Sequence, residues 1–287
     1  MSKNVSLVLG SGGARGLAHI GVIKYLKENG YEIKSVSGCS IGSLIGGVYA
    51  AGKLDLLEQW MLDITKLDIV SMLDLSWKSS GLIHGDAVIN KLVDLIGDIQ
   101  IEELDIPYTA VAADIKNQKE VWMNKGSLFD AIRASVSLPL LLTPVERDGL
   151  VLVDGGVLNP VPITPTFNDK TDLTIAVNLG GPPSLDKKID AIEKAVDSKK
   201  GWMDRLEHYF DKFNIKDESK KSKEWGAYDV ANEAFDTMQS SIARQKLASY
   251  PPDIEITIAR NACGTLEFDR AKEMIELGYE SAIQSLK

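Results

Sequence analysis

Gly38-Cys39-Ser40-Ile41-Gly42 follows the short, partly apolar run Ile33-Lys34-Ser35-Val36-Ser37 and leads into Ser43-Leu44-Ile45-Gly46-Gly47-Val48-Tyr49-Ala50-Ala51, which Gly52 closes. The first run suits a buried strand and the last a helix, so the pentapeptide reads as G-x-S-x-G at a strand-to-helix turn. Such a turn is a nucleophile elbow: it lifts Ser40 Oγ out of the sheet, while Gly38 and Gly42 let strand and helix approach without a Cβ clash. The helix N-terminus then aims N–H dipoles at any oxyanion that forms. The pattern is short and recurs by chance, so its weight comes from its neighbours.

Working outward toward the N-terminus, Val5-Ser6-Leu7-Val8-Leu9 reads as a buried strand. It enters Gly10-Ser11-Gly12-Gly13-Ala14-Arg15-Gly16, after which Leu17 to Leu26 run at helical period. A glycine-rich turn of this kind points several N–H groups at one spot, a nest for a phosphate or an oxyanion. A dinucleotide fingerprint fits poorly: counted from Gly10, Arg15 stands where the third glycine belongs. A plain tight turn and an oxyanion loop beside the elbow remain. The nearness of the elbow favours the oxyanion loop, with both motifs at the carboxyl ends of strands in one open α/β sheet.

Toward the C-terminus, Val151-Leu152-Val153 ends in Asp154-Gly155-Gly156. A carboxylate at a strand end is a candidate base; an Asx-type turn is the plainer alternative. The chain has three histidines, His19, His84 and His208. A Ser–acid–His order requires a histidine after Asp154, and only His208 qualifies, inside a strongly charged segment. His19 is expected to fix its helix and His84 to sit at a turn, so a triad is badly supported. A Ser–Asp pair needs no histidine.

The ordered set, Ser11 to Gly16, Gly38 to Gly42, then Asp154-Gly155-Gly156, resembles the patatin-like phospholipases. The likeness is to the short bacterial branch, which is similar to the catalytic domain of neuropathy target esterase. A fourth block, Arg133-Ala134-Ser135-Val136-Ser137-Leu138-Pro139, resembles the stretch between elbow and aspartate. The resemblance runs from about Val5 to Leu179 and resumes from Pro251. It implies a Ser40–Asp154 dyad, with Ser40 as nucleophile and Asp154 as base. It also implies an oxyanion hole of the Gly12 and Gly13 N–H groups, with Arg15 bracing that loop or meeting a substrate phosphate. The chain departs from the family loop at Ser11, where glycine is typical. The implied substrates are phospholipids, lysophospholipids or simple fatty-acyl esters, although some members show little activity.

The strand signals at Tyr108–Ala113, Leu173–Leu179 and Ile254–Ile258 alternate with helical runs. They predict one domain over 1–287, a three-layer α/β/α fold with a mostly parallel, doubly wound central sheet. Hydrophobic content of 44% suits such a core. A net charge of −9 argues against nucleic acid and against strong adsorption to anionic lipid. No signal peptide and no uninterrupted apolar run long enough to span a membrane are read, so a cytoplasmic protein is expected. Cys39 and Cys263 do not suggest a disulfide framework, and Cys39 reads as a small buried filler. No calcium loop or other metal-ligand cluster is apparent, and the dyad scheme needs no cofactor.

Two segments break the pattern. Leu67 to Trp77 is apolar, read either as core or as an acyl-chain pocket. Residues 182–225 form a charged insertion in which Trp202, Met203, Leu206, Tyr209, Phe210 and Phe213 fall near helical spacing. That face is read as a lid or interfacial helix making peripheral membrane contact, or as packing on the domain or on a partner chain in a homo-oligomer. The expected function is a lipid acyl hydrolase; the alternatives are a non-catalytic lipid- or fatty-acid-binding module on the same fold and a nucleotide-binding domain.

Overall fold

The computed structural model describes residues 2–74, 84–184 and 226–287. Its centre is an eight-stranded sheet of β1 (Lys3–Leu9), β2 (Tyr31–Cys39), β3 (Tyr108–Asp114), β4 (Lys119–Met123), β5 (Val145–Arg147), β6 (Leu150–Asp154), β7 (Leu173–Gly181) and β8 (Ile254–Ala259). The strand order is β5-β6-β3-β2-β1-β7-β8, with β4 also paired to β3. The ladder β3-β2-β1-β7-β8 is parallel throughout; β4, β5 and β6 add antiparallel pairs at one side. The described helices are α1 (Ala18–Glu28), α2 (Ile41–Ala50), α3 (Leu54–Asp63), α4 (Lys66–Asp74), α5 (Asp86–Ile96), α6 (Leu128–Ser135), α7 (Ala227–Ser249) and α8 (Ala271–Ser285). The mostly parallel three-layer architecture expected from the strand pattern is the one observed.

Residues 5 to 9 of β1 are all buried, which requires cover on both faces of the sheet. Side chains alternate across a strand, and the two faces differ here. Val5, Leu7 and Leu9 join a large core with Leu17, Ile20 and Ile23 near or on α1, Ile45 of α2 and Met274 of α8. Val8 and Ala176 of β7 face a much smaller cluster closed by Val161, Ile163 and two residues of α7, Ala243 and Leu247. One face is therefore thickly roofed, and the other rests largely on α7 and the segment after β6.

The register gathers the motifs. Leu9 pairs with Gly38, which sets the glycine-rich loop beside the elbow. Cys39 pairs with Val111 of β3, and the next β3 residue, Ala112, pairs with Asp154. Because β6 runs antiparallel to β3, its carboxyl end returns to the end of β2. Three motifs spread over about half the chain thus meet at adjacent ladder positions.

Of the two irregular segments, α4 occupies the start of the first. Leu67 is 80% exposed there and Ile69 is buried; the remainder of that reading, Trp77 included, and the helix read at Trp202 to Phe213 lie outside the described residues. Among the described residues no helix is long and apolar enough to cross a membrane.

Candidate active site

Ser40 is the residue between β2 and α2, at φ 56° and ψ −127°. Only a few non-glycine residues take positive φ, and the strain, about 1–3 kcal/mol, persists only where surrounding structure enforces it. Here Ser40 N–H donates to Ser135 Oγ (2.9 Å), whose hydroxyl in turn donates to the Val111 carbonyl (2.7 Å). The Ser40 carbonyl accepts from Ser43 N–H at 2.9 Å and from Ser43 Oγ at 2.6 Å. Gly42 must lack a side chain: a Cβ there would strike the carbonyl of Leu9 in the neighbouring strand. Gly38 packs against Gly42 and Ser43 in the same way.

Asp154 is fully buried, and its Oδ2 accepts a short hydrogen bond from Ser40 Oγ. Its other oxygen, Oδ1, accepts from Gly156 N–H at 2.7 Å, so the Asx-type turn and the base occupy the same residue. Cys39 Sγ lies 3.9 Å from Oδ1 and is buried, as the filler reading expects. The Asp154 main chain is held by its N–H donating to the Ser137 carbonyl (2.9 Å). Burial raises the carboxyl from its ordinary 3.8 to about 6, against the opposing hydrogen bonds from Ser40 and Gly156. Near neutral pH it is thus ionised and a stronger base than an exposed aspartate. Gly155 and Gly156 leave no room for side chains: a Cβ on Gly155 would meet the Val111 carbonyl, and one on Gly156 would meet Gln239 Nε2, Ser11 Oγ and Asp154 Oδ1.

In the glycine-rich loop, Gly10 N–H donates to the Val177 carbonyl (3.0 Å), Ser11 N–H to Pro160 (2.8 Å) and Ala14 N–H to Thr265 (2.9 Å). The Gly12 and Gly13 N–H groups between them have no acceptor among the described residues. Two fixed, unpaired donors beside the elbow can receive an anion. The Ile41 and Gly42 N–H groups also lack intrahelical acceptors because they open α2.

Arg15 is buried, but its guanidinium faces α7. It pairs with both carboxylate oxygens of Asp236 at 3.2–3.3 Å and donates to the Arg260 carbonyl at 2.7 Å. It braces the loop, and none of its hydrogen bonds is to Ser40 or Asp154. His19 Nε2 donates to the Gly10 carbonyl (2.9 Å), and burial lowers its pKa to about 4, so it is a neutral strut. The His84 carbonyl accepts from Arg133, and His208 lies outside the described residues. Among the described residues no group of three His, Cys, Asp or Glu could hold a metal ion.

Three contributors carried no role in the sequence reading. Ser135 and Ser137 stood inside the block at 133–139, whose place between elbow and aspartate was the only signal. Gln239 of α7 had none. A cavity of about 580 Å³ lies between β7, β8 and α7, lined by Asn178, Arg244, Leu247, Glu255 and Arg260 among others. Neither Ser40 nor Asp154 lines it.

With this geometry in view, the likenesses to known proteins are specific. The model of the patatin-like phospholipase family matches residues 7–167. An NTE family protein of Mycobacterium tuberculosis, itself described as uncharacterized, is 36% identical over 331 aligned positions, covering 100% of this chain and 92% of its own length. Human patatin-like phospholipase domain-containing protein 6 is 33% identical over 75% of this chain, a region that makes up 16% of that longer protein. The crystal structure of VipD from Legionella pneumophila aligns with 99% of this chain and 66% of that one, at a TM-score of 0.46 and 14% identity, too weak a likeness to rest anything on. The glycine-rich loop, the elbow and the aspartate all fall inside the matched region, and the chain belongs to the patatin-like phospholipase family.

Proposed function

We propose that the chain is a serine acyl hydrolase that cleaves carboxylic esters of lipids, of the phospholipase A or lysophospholipase type, through a Ser40–Asp154 dyad and an acyl-enzyme. The observation that carries this reading is the hydrogen bond from Ser40 Oγ to a buried carboxylate whose pKa is raised to about 6. Serine attacks poorly until a neighbouring base takes its proton. Ser40 Oγ adds to the acyl carbonyl carbon as its proton passes to Asp154 Oδ2. The Gly12 and Gly13 N–H groups receive the oxyanion, each such donor being worth about 2.7–4 kcal/mol in a measured serine protease. Collapse of the tetrahedral species breaks the ester C–O bond, and Asp154 returns the proton to the leaving alcohol. A water then gives its proton to Asp154 and attacks the acyl carbonyl, releasing the fatty acid and restoring Ser40. Membership of a family of this name, and relatives called phospholipase and esterase, support the lipid ester as substrate.

The test is turnover of a p-nitrophenyl acyl ester series together with labelling by a fluorophosphonate. Wild type is expected to turn over and to label at Ser40, and Ser40→Ala and Asp154→Asn to fall to background. Folded wild type that neither turns over nor labels returns the chain to the lipid-binding alternative. The rate should fall on acidification below about pH 6, with a single ionisation on the acid limb, as Asp154 takes up a proton.

The same burial makes a stability prediction. A carboxyl raised from 3.8 to about 6 favours the fold while protonated, and that contribution is lost as pH rises through 6. Holding Asp154 ionised at pH 8 therefore costs about 3 kcal/mol. Asp154→Asn should raise the melting temperature at pH 8 and lose that advantage as pH falls toward 4. An advantage unchanged with pH would mean that the buried charge is not its source.

A further inference from the structure

Gly12 and Gly13 are flanked by two side chains that both bind one helix. Ser11 Oγ accepts from Gln239 Nε2 at 3.2 Å, and Arg15 forks onto Asp236. Asp236 and Gln239 are three residues apart, so they present on one face of α7 about one turn from each other. Gln239 is 7% exposed and Ser11 9%, and the arginine is buried too, so these contacts are sheltered from competing water. A Cβ placed on Gly156 would touch Gln239 Nε2, Ser11 Oγ and Asp154 Oδ1 together, which sets the Gln239 amide at the seam between the loop and the aspartate turn. The apolar support of α7 is small by comparison, with Ala243 and Leu247 entering the minor cluster. Farther along, Lys246 pairs with Glu120 of β4 at 2.7 Å.

From this we infer that Gln239 and Asp236 of α7 are positioning residues for the oxyanion loop, gripping it through Ser11 and Arg15 on either side of the Gly12 and Gly13 donors. The inference rests on the ester-hydrolase reading. The Ser11 hydroxyl is the acceptor that Gln239 uses, so that position of the loop serves the grip. Oxyanion donors work only when held near 3 Å from where the charge develops, and a displacement of about 1 Å costs on the order of a hundredfold. A helix fixing both flanks supplies that constraint from outside the loop.

Gln239→Met keeps bulk but removes the donor, and Asp236→Asn keeps shape but removes the charge. Lys246→Ala is the control, for it loosens α7 on β4 without touching the loop. Three readouts separate bracing from general damage. Hydrogen exchange of the peptide spanning 10–17 should quicken about tenfold in the first two variants and stay at the wild-type rate in the control. The kcat for a short acyl ester should fall roughly tenfold to a hundredfold with KM little changed. An alkyl trifluoromethyl ketone, which presents an oxyanion once Ser40 adds to it, should lose affinity in proportion. Unchanged exchange in residues 10–17 overturns the inference whatever the activity. A rise in turnover in Gln239→Met would make α7 a cover instead of a brace, and overturns it too. Wild type that fails to turn over or label removes the hydrolase reading, and the exchange data then still decide whether α7 holds the loop.

Discussion

Arg15 and Arg133 are the two arginines buried among the described residues, Arg15 a few residues from Gly12 and Gly13 and Arg133 a few residues from the Ser135 and Ser137 groups that hold the Ser40 and Asp154 backbones. Their surroundings differ. Arg133, on α6, lies in a cage of mainly neutral acceptors: Ser137 Oγ at 2.7 Å, Thr143 Oγ1 at 3.0 Å, the Thr143 carbonyl at 3.3 Å and the His84 carbonyl. Its one acid, Asp86, has a side chain 66% exposed. Arg15 has a single carbonyl, that of Arg260, and the carboxylate of Asp236, whose side chain is 23% exposed. Arg133 takes two partners within ten residues, one from the first residue of α5 and one, His84, from the segment just before it, whereas the partners of Arg15 lie 221 and 245 residues away. The contrast separates two ways of burying a cation. One is a cage local to the helix that supports Ser40 and Asp154; the other is an ion pair that exists only after the C-terminal part of the chain has closed on the loop.

The contrast predicts unequal damage. Arg133→Met strips a donor from two carbonyls and two hydroxyls at once, and a sheltered acceptor left without its donor costs about 1–3 kcal/mol. A loss of about 4 kcal/mol is expected as a drop in the global urea midpoint, with the cleavage pattern of a limiting protease unchanged. Arg15→Met should cost less, about 2–3 kcal/mol, because Asp236 can turn partly toward water. Its mark should be local: α7 becomes the first site cut by protease, well before the global transition. If Arg15→Met lowers the global midpoint as much as Arg133→Met and leaves α7 resistant, the two arginines do the same work and the contrast is wrong.

The same distinction explains what could be read from the chain. The elbow at Gly38–Gly42 was legible because its requirements are local: a glycine on each side of Ser40 and a strand and helix at the right periods. Strands β1, β2, β3 and β7 were legible as largely apolar runs, since parallel strands covered on both faces carry mostly buried side chains; β6 was legible as a short apolar run ending in an acid, and β8 as an alternating one. The antiparallel return of β6 was not, because nothing in Val151-Leu152-Val153 states its direction. That return, through the Ala112–Asp154 register, is what carries the aspartate to the serine. For Arg15 the choice between bracing the loop and meeting a phosphate stayed open in the sequence, because its acid is in another helix and no periodicity links residue 15 to 236. Gln239 was invisible for the same reason, as one polar residue in a long helix rich in polar and charged residues. Ser135 and Ser137 were in view, but a hydroxyl that holds a strained backbone, as at Ser135, or a carbonyl that holds a neighbouring strand end, as at Ser137, looks in sequence like any serine near a helix end.

The smallest expected effect lies at Asp86. In the Arg15 site the carboxylate is part of the enclosure, but in the Arg133 site it is the outermost of the acceptors. Its bond to Arg133 Nε is 3.1 Å long, and the exposed half of the pair is screened by water. Asp86 also opens α5, where a negative charge adds about 0.3–1 kcal/mol against the helix dipole. Asp86→Ala should therefore cost about 1 kcal/mol at low ionic strength and less in 0.5 M salt, because both terms are exposed electrostatics that salt screens. The neutral cage around the guanidinium stays intact, so the urea midpoint should remain far closer to wild type than to Arg133→Met. If Asp86→Ala matches the arginine variant and salt does not diminish the loss, Arg133 is held by its charge partner as Arg15 is, and the carbonyl cage is only packing around an ion pair.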